Sequence, residues 1–262
     1  MAQLAMVIDL RKCAGCGACG IACKMENNTP DRRGGQTFNW ADFFVETGGS
    51  FPNVEFTFFP VLCNHCSDAP CVTMCPVNPK ALSKTPEGIT IKDDSRCIGC
   101  RICQSACPYS ARDVDTDEVQ YSVISYNEAS APTHPFWEDT SVLISGCTSS
   151  GKDVSTKAGV TPPNMNAYEG TPYDTVRRPN VVEKCILCHH RIKEGDRPWC
   201  VQSCPSGARV VGDLDDPSSE VSRLLSQHQA KRLKNNHGEL LAPGDPGVRP
   251  NVYYINEFMT TK

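Results

Sequence analysis

The sequence predicts an α+β chain of two small, cysteine-stapled domains with long loop insertions, and three observations lead there. Sixteen of the seventeen cysteines fall into four quartets, and Cys147 alone stands apart. Short strand-like stretches and helical turns alternate with those quartets. The stretch 127–180 interrupts the pattern with a run rich in Ser, Thr, Pro and Gly. At 262 residues, the chain is long enough for one or two domains with a sizeable core.

In chain order, Leu4-Ala5-Met6-Val7-Ile8-Asp9-Leu10 reads as a short strand ending at Lys12. Cys13, Cys16, Cys19 and Cys23 follow in C-x2-C-x2-C-x3-C spacing, with Lys24 where the other quartets have proline. Gly15, Gly17 and Gly20 let the backbone curl around a bulky group. Residues 27–60 read as loop, its aromatics Trp40, Phe43, Phe44 and Phe51 filling local core or anchoring the connection on a domain or partner. The second quartet is Cys63, Cys66, Cys71 and Cys75-Pro76, with one gap two residues longer. Pro79–Leu82 reads as a helical turn, Glu87-Gly88 as a turn, and Ile89-Thr90-Ile91 as a strand. That strand feeds the third quartet, Cys97, Cys100, Cys103 and Cys107-Pro108.

Beyond Asn127, Trp137, Tyr168 and Tyr173 suggest that parts of the insertion dock on something, while Cys147 reads as a plain thiol. The fourth quartet is Cys185, Cys188, Cys200 and Cys204-Pro205, with eleven residues in its middle gap. Arg209-Val210-Val211 reads as a strand. Asp216 is placed to cap a helix with Pro217 at its first position, and Val221, Leu224, Leu225 and His228 form its apolar stripe. Lys231, Arg232 and Lys234 suit a solvated helix end. Pro250 to Ile255 closes the chain as a strand.

The run from Cys97 to Pro108 has the spacing C-x2-C-x2-C-x3-C-P, that of bacterial ferredoxins holding cubane iron–sulfur clusters. Zinc ribbons need well-separated C-x2-C pairs, and reading the pairs that way leaves Cys19, Cys23, Cys103 and Cys107 crowded against complete sites. Disulfide frameworks belong mostly to small secreted chains. Sixteen thiolates, four per cluster, fit four [4Fe–4S] clusters. The last cysteine of such a run ligates the neighbouring cluster, so the quartets must pair. The second and third are close in sequence, so the first and fourth pair across the chain. This predicts a ferredoxin-like domain at 51–126 inserted into a discontinuous one at 1–50 and 181–262. The insertion 127–180 is then free to contact a partner, and the two domains are expected to be related by a pseudo-two-fold axis. With so little apolar core in either, the clusters should staple the fold.

Net charge is −4 and mean hydropathy −0.36, which argues against a nucleic-acid partner, and no apolar run is long enough to cross a bilayer. The N-terminus has no basic, apolar and cleavage regions of an export signal, so taken alone it reads as cytoplasmic. Lys12, Arg96 and Lys184 directly precede the first cysteine of three quartets, where a cation would favour the reduced state of a cluster. Leu62 takes that place in the second. His65, His189 and His190 stand beside candidate ligands, as possible hydrogen-bond donors to cluster sulfur rather than ligands. No catalytic base, nucleophile or open metal site is evident. The chain therefore reads as no enzyme on its own, the rival being an autonomous iron–sulfur enzyme whose substrate meets an under-ligated cluster.

Four quartets in this order resemble the iron–sulfur subunits of the DMSO reductase family of molybdopterin oxidoreductases. The chain is most similar to the small subunits of respiratory arsenate reductases, through Met6–Leu10, Phe51–Val54, Leu62–Cys66 and Val211–Pro217. Relatives acting on thiosulfate, polysulfide or tetrathionate share several of these stretches. The resemblance implies that Cys13, Cys16, Cys19 and Cys204 hold the cluster nearest the catalytic subunit, and Cys185, Cys188, Cys200 and Cys23 the second. Cys63, Cys66, Cys71 and Cys107 would hold the third, and Cys97, Cys100, Cys103 and Cys75 the distal one. Cys100, a tryptophan in nitrate reductase relatives, implies four irons there rather than three. The implied partners are a large subunit carrying molybdenum or tungsten on a bis-pterin, and a membrane quinol-oxidising anchor or a cytochrome donor. The implied role is relaying single electrons in anaerobic respiration, in the periplasm or cell envelope after co-export with the catalytic subunit.

Overall fold

The structure, a computed structural model, describes residues 2–27, 29, 36, 38–110, 122–127, 149–159, 179–233 and 248–256. Cys147, Trp137, Tyr168, Tyr173 and Lys234 lie outside the described residues.

The first half carries β1 (Leu4–Asp9), α1 (Ala18–Asn27), β2 (Ala41–Ser50), β3 (Asn53–Leu62), α2 (Pro70–Thr73), β4 (Leu82–Lys84), β5 (Thr90–Lys92), α3 (Ile102–Ala106) and β6 (Ile124–Tyr126). The second carries α4 (Gly151–Ala158), β7 (Val182–Lys184), α5 (His189–Lys193), α6 (Trp199–Gln202), β8 (Arg209–Asp213), α7 (Glu220–Gln227), β9 (Ala230–Lys231) and β10 (Val252–Ile255). The fold is mixed α and β, as expected.

The two predicted terminal strands meet. β1 runs parallel to β10, pairing Met6 with Val252 and Ile8 with Tyr254, and antiparallel to β8, giving the sheet order β8-β1-β10-β9. Alternation along these strands supplies both faces. Met6, Ile8, Val252 and Tyr254 join the larger core, which also contains seven of the quartet cysteines: Cys23, Cys63, Cys66, Cys71, Cys103, Cys185 and Cys200. Ala5, Val7, Tyr253 and Ile255 face the other way and pack with Val221 of α7. Each such fully buried aliphatic side chain is worth about 1.5–3 kcal/mol.

Four local expectations are corrected. The loop read over 27–60 contains a long hairpin, β2 paired with β3 from Ala41↔Leu62 to Ser50↔Asn53. Stacking of Phe59 on Tyr254, with centroids 4.5 Å apart, and a bond from Tyr254 Oη to the Pro60 carbonyl fasten it to the sheet. Of its aromatics, Trp40 is buried, whereas Phe51 at the tip is 91% exposed. Pro79–Leu82 is not helical; Leu82 opens β4, which pairs with β5. The final helix begins at Glu220 rather than after Asp216. Ser219 caps it by accepting the Ser222 N–H, while Asp216 accepts from Ser218 in the turn before. Arg232 is no solvated helix end: it follows β9, lies over the Tyr253 ring and bonds its hydroxyl at 2.7 Å. Within the stretch 127–180, α4 adds a helix whose first turn is held by Ser150 accepting the Asp153 N–H.

Candidate iron–sulfur sites

In every quartet the last two cysteines are four residues apart across a short helix or its end. Cys19 and Cys23 lie in α1, Cys71 lies in α2 with Cys75 just beyond, Cys103 lies in α3 with Cys107 as its C-terminal cap, and Cys200 lies in α6 with Cys204 beyond. Positions i and i+4 share a face but are offset by about one turn, near 6 Å along the axis. Each such pair therefore presents its two sulfurs to different places. The helices pack in twos, α1 on α6 and α2 on α3.

The first two cysteines of each quartet share a loop conformation. The residue before the second cysteine has a left-handed backbone in all four: Gly15 (φ +63°), His65 (+44°), Gly99 (+68°) and Leu187 (+52°). Glycine adopts this freely, whereas histidine and leucine do so against a steric penalty that surrounding contacts must offset. At Gly99 there is no room for more, since an added Cβ would sit 2.4 Å from the Asn180 carbonyl oxygen. Gly99→Ala is therefore expected to reshape the Cys97–Cys100 loop, with loss of iron measured against the wild-type chain.

The thiols gather into four sets. Cys13, Cys16, Cys19 and Cys204 line one cavity with Phe43, Pro60 and Arg209. Cys75, Cys97, Cys100 and Cys103 line another with Leu82, Ile98 and Val182. Between them, Cys23 lies within electrostatic reach of Cys185, Cys200 and Cys188, and Cys66 within reach of Cys63, Cys107 and Cys71. The sets are also neighbours in a line: Cys200 feels Cys19, Cys185 feels Cys63, and Cys103 feels Cys71. Exposure follows the same line. Cys16 and Cys100, in the outer sets, are the exposed thiols among the described cysteines, whereas Cys23, Cys185, Cys188 and Cys200 are all buried.

The chemistry of these sets fits metal-bound thiolate. Burial and neighbouring sulfurs push the thiols of Cys103 and Cys107 up to about 12, and burial brings Cys188 to about 11. Bound metal reverses that balance and holds such sulfurs ionised. Cys75 and Cys204 differ: burial opposes ionisation, but backbone N–H groups, with Lys80 added at Cys75 and Ser206 at Cys204, outweigh it and lower both thiols. Buried donors also stand ready for sulfur acceptors. His65 Nδ1 accepts the Thr90 N–H at 3.1 Å, leaving the ring's other nitrogen, Nε2, buried without a partner among the described residues, as is Nη2 of Arg209.

The cations flagged by sequence position separate clearly. Lys12 is exposed, and Arg96, half-exposed, pairs with Asp93 at 3.3 Å. Lys184 is completely buried and stabilises the thiolates of Cys185 and Cys71. Further cations escaped the sequence reading, among them Lys80, which favours the Cys75 thiolate. Lys84 lies beside Cys63, Cys66 and Cys71, and the buried Arg209 beside Cys200, Cys19 and Cys204. Neither adjoins a cysteine in sequence; folding of β4 and β8 brings them in. His189 and His190 turn toward carboxylates, with His190 Nε2 lying 2.6 Å from Glu26 Oε1 and His189 Nε2 3.9 Å from Glu87 Oε2.

Paired helices, shared loops and gathered thiols define an iron–sulfur protein, and comparison with known sequences gives its kind. The 4Fe-4S dicluster domain family matches residues 54–126 and 136–214. The chain belongs to this family, as an iron–sulfur subunit. It is 42% identical, over 98% of its length and 97% of the relative's, to the arsenate respiratory reductase iron-sulfur subunit ArrB of Shewanella sp. (strain ANA-3). It is 33% identical to one subunit of the selenate reductase of Mesobacillus selenatarsenatis and 30% identical to one subunit of the tetrathionate reductase of Salmonella typhimurium, in each case over 97% of this chain and 72% of the relative. Among the described residues, no helix is long and apolar enough to cross a membrane.

Proposed function

We propose that this chain is the electron-relay subunit of a molybdopterin oxidoreductase, carrying four [4Fe–4S] clusters in two ferredoxin-like halves related by a pseudo-two-fold axis. Residues 1–50 and 181–262 would form one half and 51–126 the other. The ligand sets would be Cys13, Cys16, Cys19 and Cys204; Cys23, Cys185, Cys188 and Cys200; Cys63, Cys66, Cys71 and Cys107; and Cys75, Cys97, Cys100 and Cys103. When bound, each cluster supplies a one-electron redox centre.

One observation carries the reading: the four thiol sets stand in a line, with exposed thiols, among the described residues, only in the two outer sets. A relay needs contact with partners at its ends and insulation between them. Buried residues such as Leu62, Ile124 and Ile186 pack in the same core as the inner thiols and exclude water from it. A molybdenum or tungsten bis-pterin subunit at one end and a quinol-oxidising anchor or cytochrome at the other complete the proposal.

The likeness to the arsenate respiratory reductase subunit along nearly the whole chain favours arsenate as the terminal acceptor of the complex. A thiosulfate, polysulfide or tetrathionate reductase is the alternative. We further propose that the chain acts in the periplasm or cell envelope, exported folded with its catalytic subunit. Native purification followed by molybdenum and tungsten analysis, with assays on arsenate, tetrathionate, thiosulfate and polysulfide, tests the proposal. Co-elution of a pterin-bearing subunit that reduces arsenate is expected. Recovery of the chain without any such subunit overturns it.

A further inference from the structure

Lys184 is the largest side chain with no exposure at all, and no carboxylate lies within ion-pair distance of it or of Lys84 among the described residues. Lys184 Nζ donates to the carbonyls of Thr90, at 2.6 Å, and Cys185. An ammonium has three donors, so one remains. Lys84 Nζ donates to the carbonyls of Cys66 at 2.8 Å, His65 at 3.1 Å and Gly88, and to Thr90 Oγ1 at 3.2 Å. Thr90 thus bridges the two lysines, one on its carbonyl and one on its hydroxyl. The lysines repel each other, and both help keep the buried His65 neutral.

Two like charges side by side, one fully buried and one half-buried, call for anionic charge close by. Carbonyl dipoles orient them but do not neutralise them. The nearest anionic chemistry is sulfur: Cys63, Cys66 and Cys71 around Lys84, and Cys71 and Cys185 around Lys184. Lys184 therefore bears on both inner sets, and Lys84 on one of them.

We infer that the buried Lys184 and the half-buried Lys84 form a dilysine wedge that raises the reduction potentials of the two inner clusters, Lys184 acting on both and Lys84 on the one held by Cys63, Cys66, Cys71 and Cys107. Positive charge favours the added electron, so net charge near a cluster sets its potential. The inference rests on the four-cluster reading above. It adds that a lysine charge bears on each of the two inner sets of the relay.

The test is a potentiometric titration, followed by EPR, of the iron-loaded full-length chain and its variants, with iron counted in each. Lys184→Met should lower two of the four potentials and Lys84→Met one, each by roughly tenfold in the reduction equilibrium, or about 59 mV for a one-electron couple. Lys184→Arg should keep both inner potentials near wild type. If Lys184→Met does not fold, the single shift in Lys84→Met decides. Unmoved potentials in variants that retain all four clusters overturn the inference and leave the lysines as ties between carbonyls. A wild-type chain holding fewer than four clusters instead fails the functional reading, and the inference falls with it.

Discussion

Stripped of iron, the chain is expected to lose its fold rather than persist as an empty scaffold. Three of the helices that carry cysteines are only four or five residues long, α2, α3 and α6, far below the length at which a helix holds in water. They pack on other cysteine-bearing helices, α2 on α3 and α6 on α1, with the sulfur-lined sites between them. Seven cysteines belong to the main core itself, so removing metal would leave buried thiols facing voids in place of bonds. His65 and Leu187 would also be left in left-handed loop conformations that the sites no longer reward. Anaerobic chelation followed by circular dichroism and NMR should show collapse of secondary structure and of spectral dispersion together. A well-dispersed spectrum from iron-free protein would falsify this account of stability.

The second large effect is expected at Cys185. It is fully buried, sits in the set where every thiol is buried, and is the point where one inner set meets the other through Cys63. Cys185→Ser should remove or convert that one cluster and drop electron flow from reduced donor to partner subunit to background. Cys147→Ser, outside all four quartets, should leave iron content and electron flow unchanged. Stopped-flow reduction of the complex, monitored at each end of the relay, makes the comparison. Undiminished transfer through Cys185→Ser would mean that electrons bypass this set.

The sites were legible in the sequence because their determinants are local. C-x2-C fixes a loop and C-x3-C a helical offset, so spacing alone carries most of the ligand geometry. Terminal strands β1 and β10 were legible too, through unbroken apolar runs. The hairpin was hidden because Gly48, Gly49, Pro52 and Pro60 interrupt its pattern, and its stability comes from a distant partner, Tyr254. Asp216 looked like a helix cap because Asx turns and helix caps use the same chemistry, and the Pro217-Ser218-Ser219 stretch offered two places to begin. Lys84 and Arg209 were invisible as partners of the thiols for another reason. Nothing adjacent to them in sequence marks them, and only strand placement turns their charges inward. The left-handed loop position illustrates both cases: glycine announces it at residues 15 and 99, while His65 and Leu187 conceal it.

Mössbauer spectroscopy of the isotopically iron-enriched complex, oxidised and then reduced by quinol, tests the central claim most directly. The account predicts four [4Fe–4S] clusters per chain, including a four-iron cluster at Cys100, with every cluster reducible and reoxidised when the partner's acceptor is added. A three-iron centre, a site-differentiated iron that binds substrate, or fewer than four clusters turning over would contradict it.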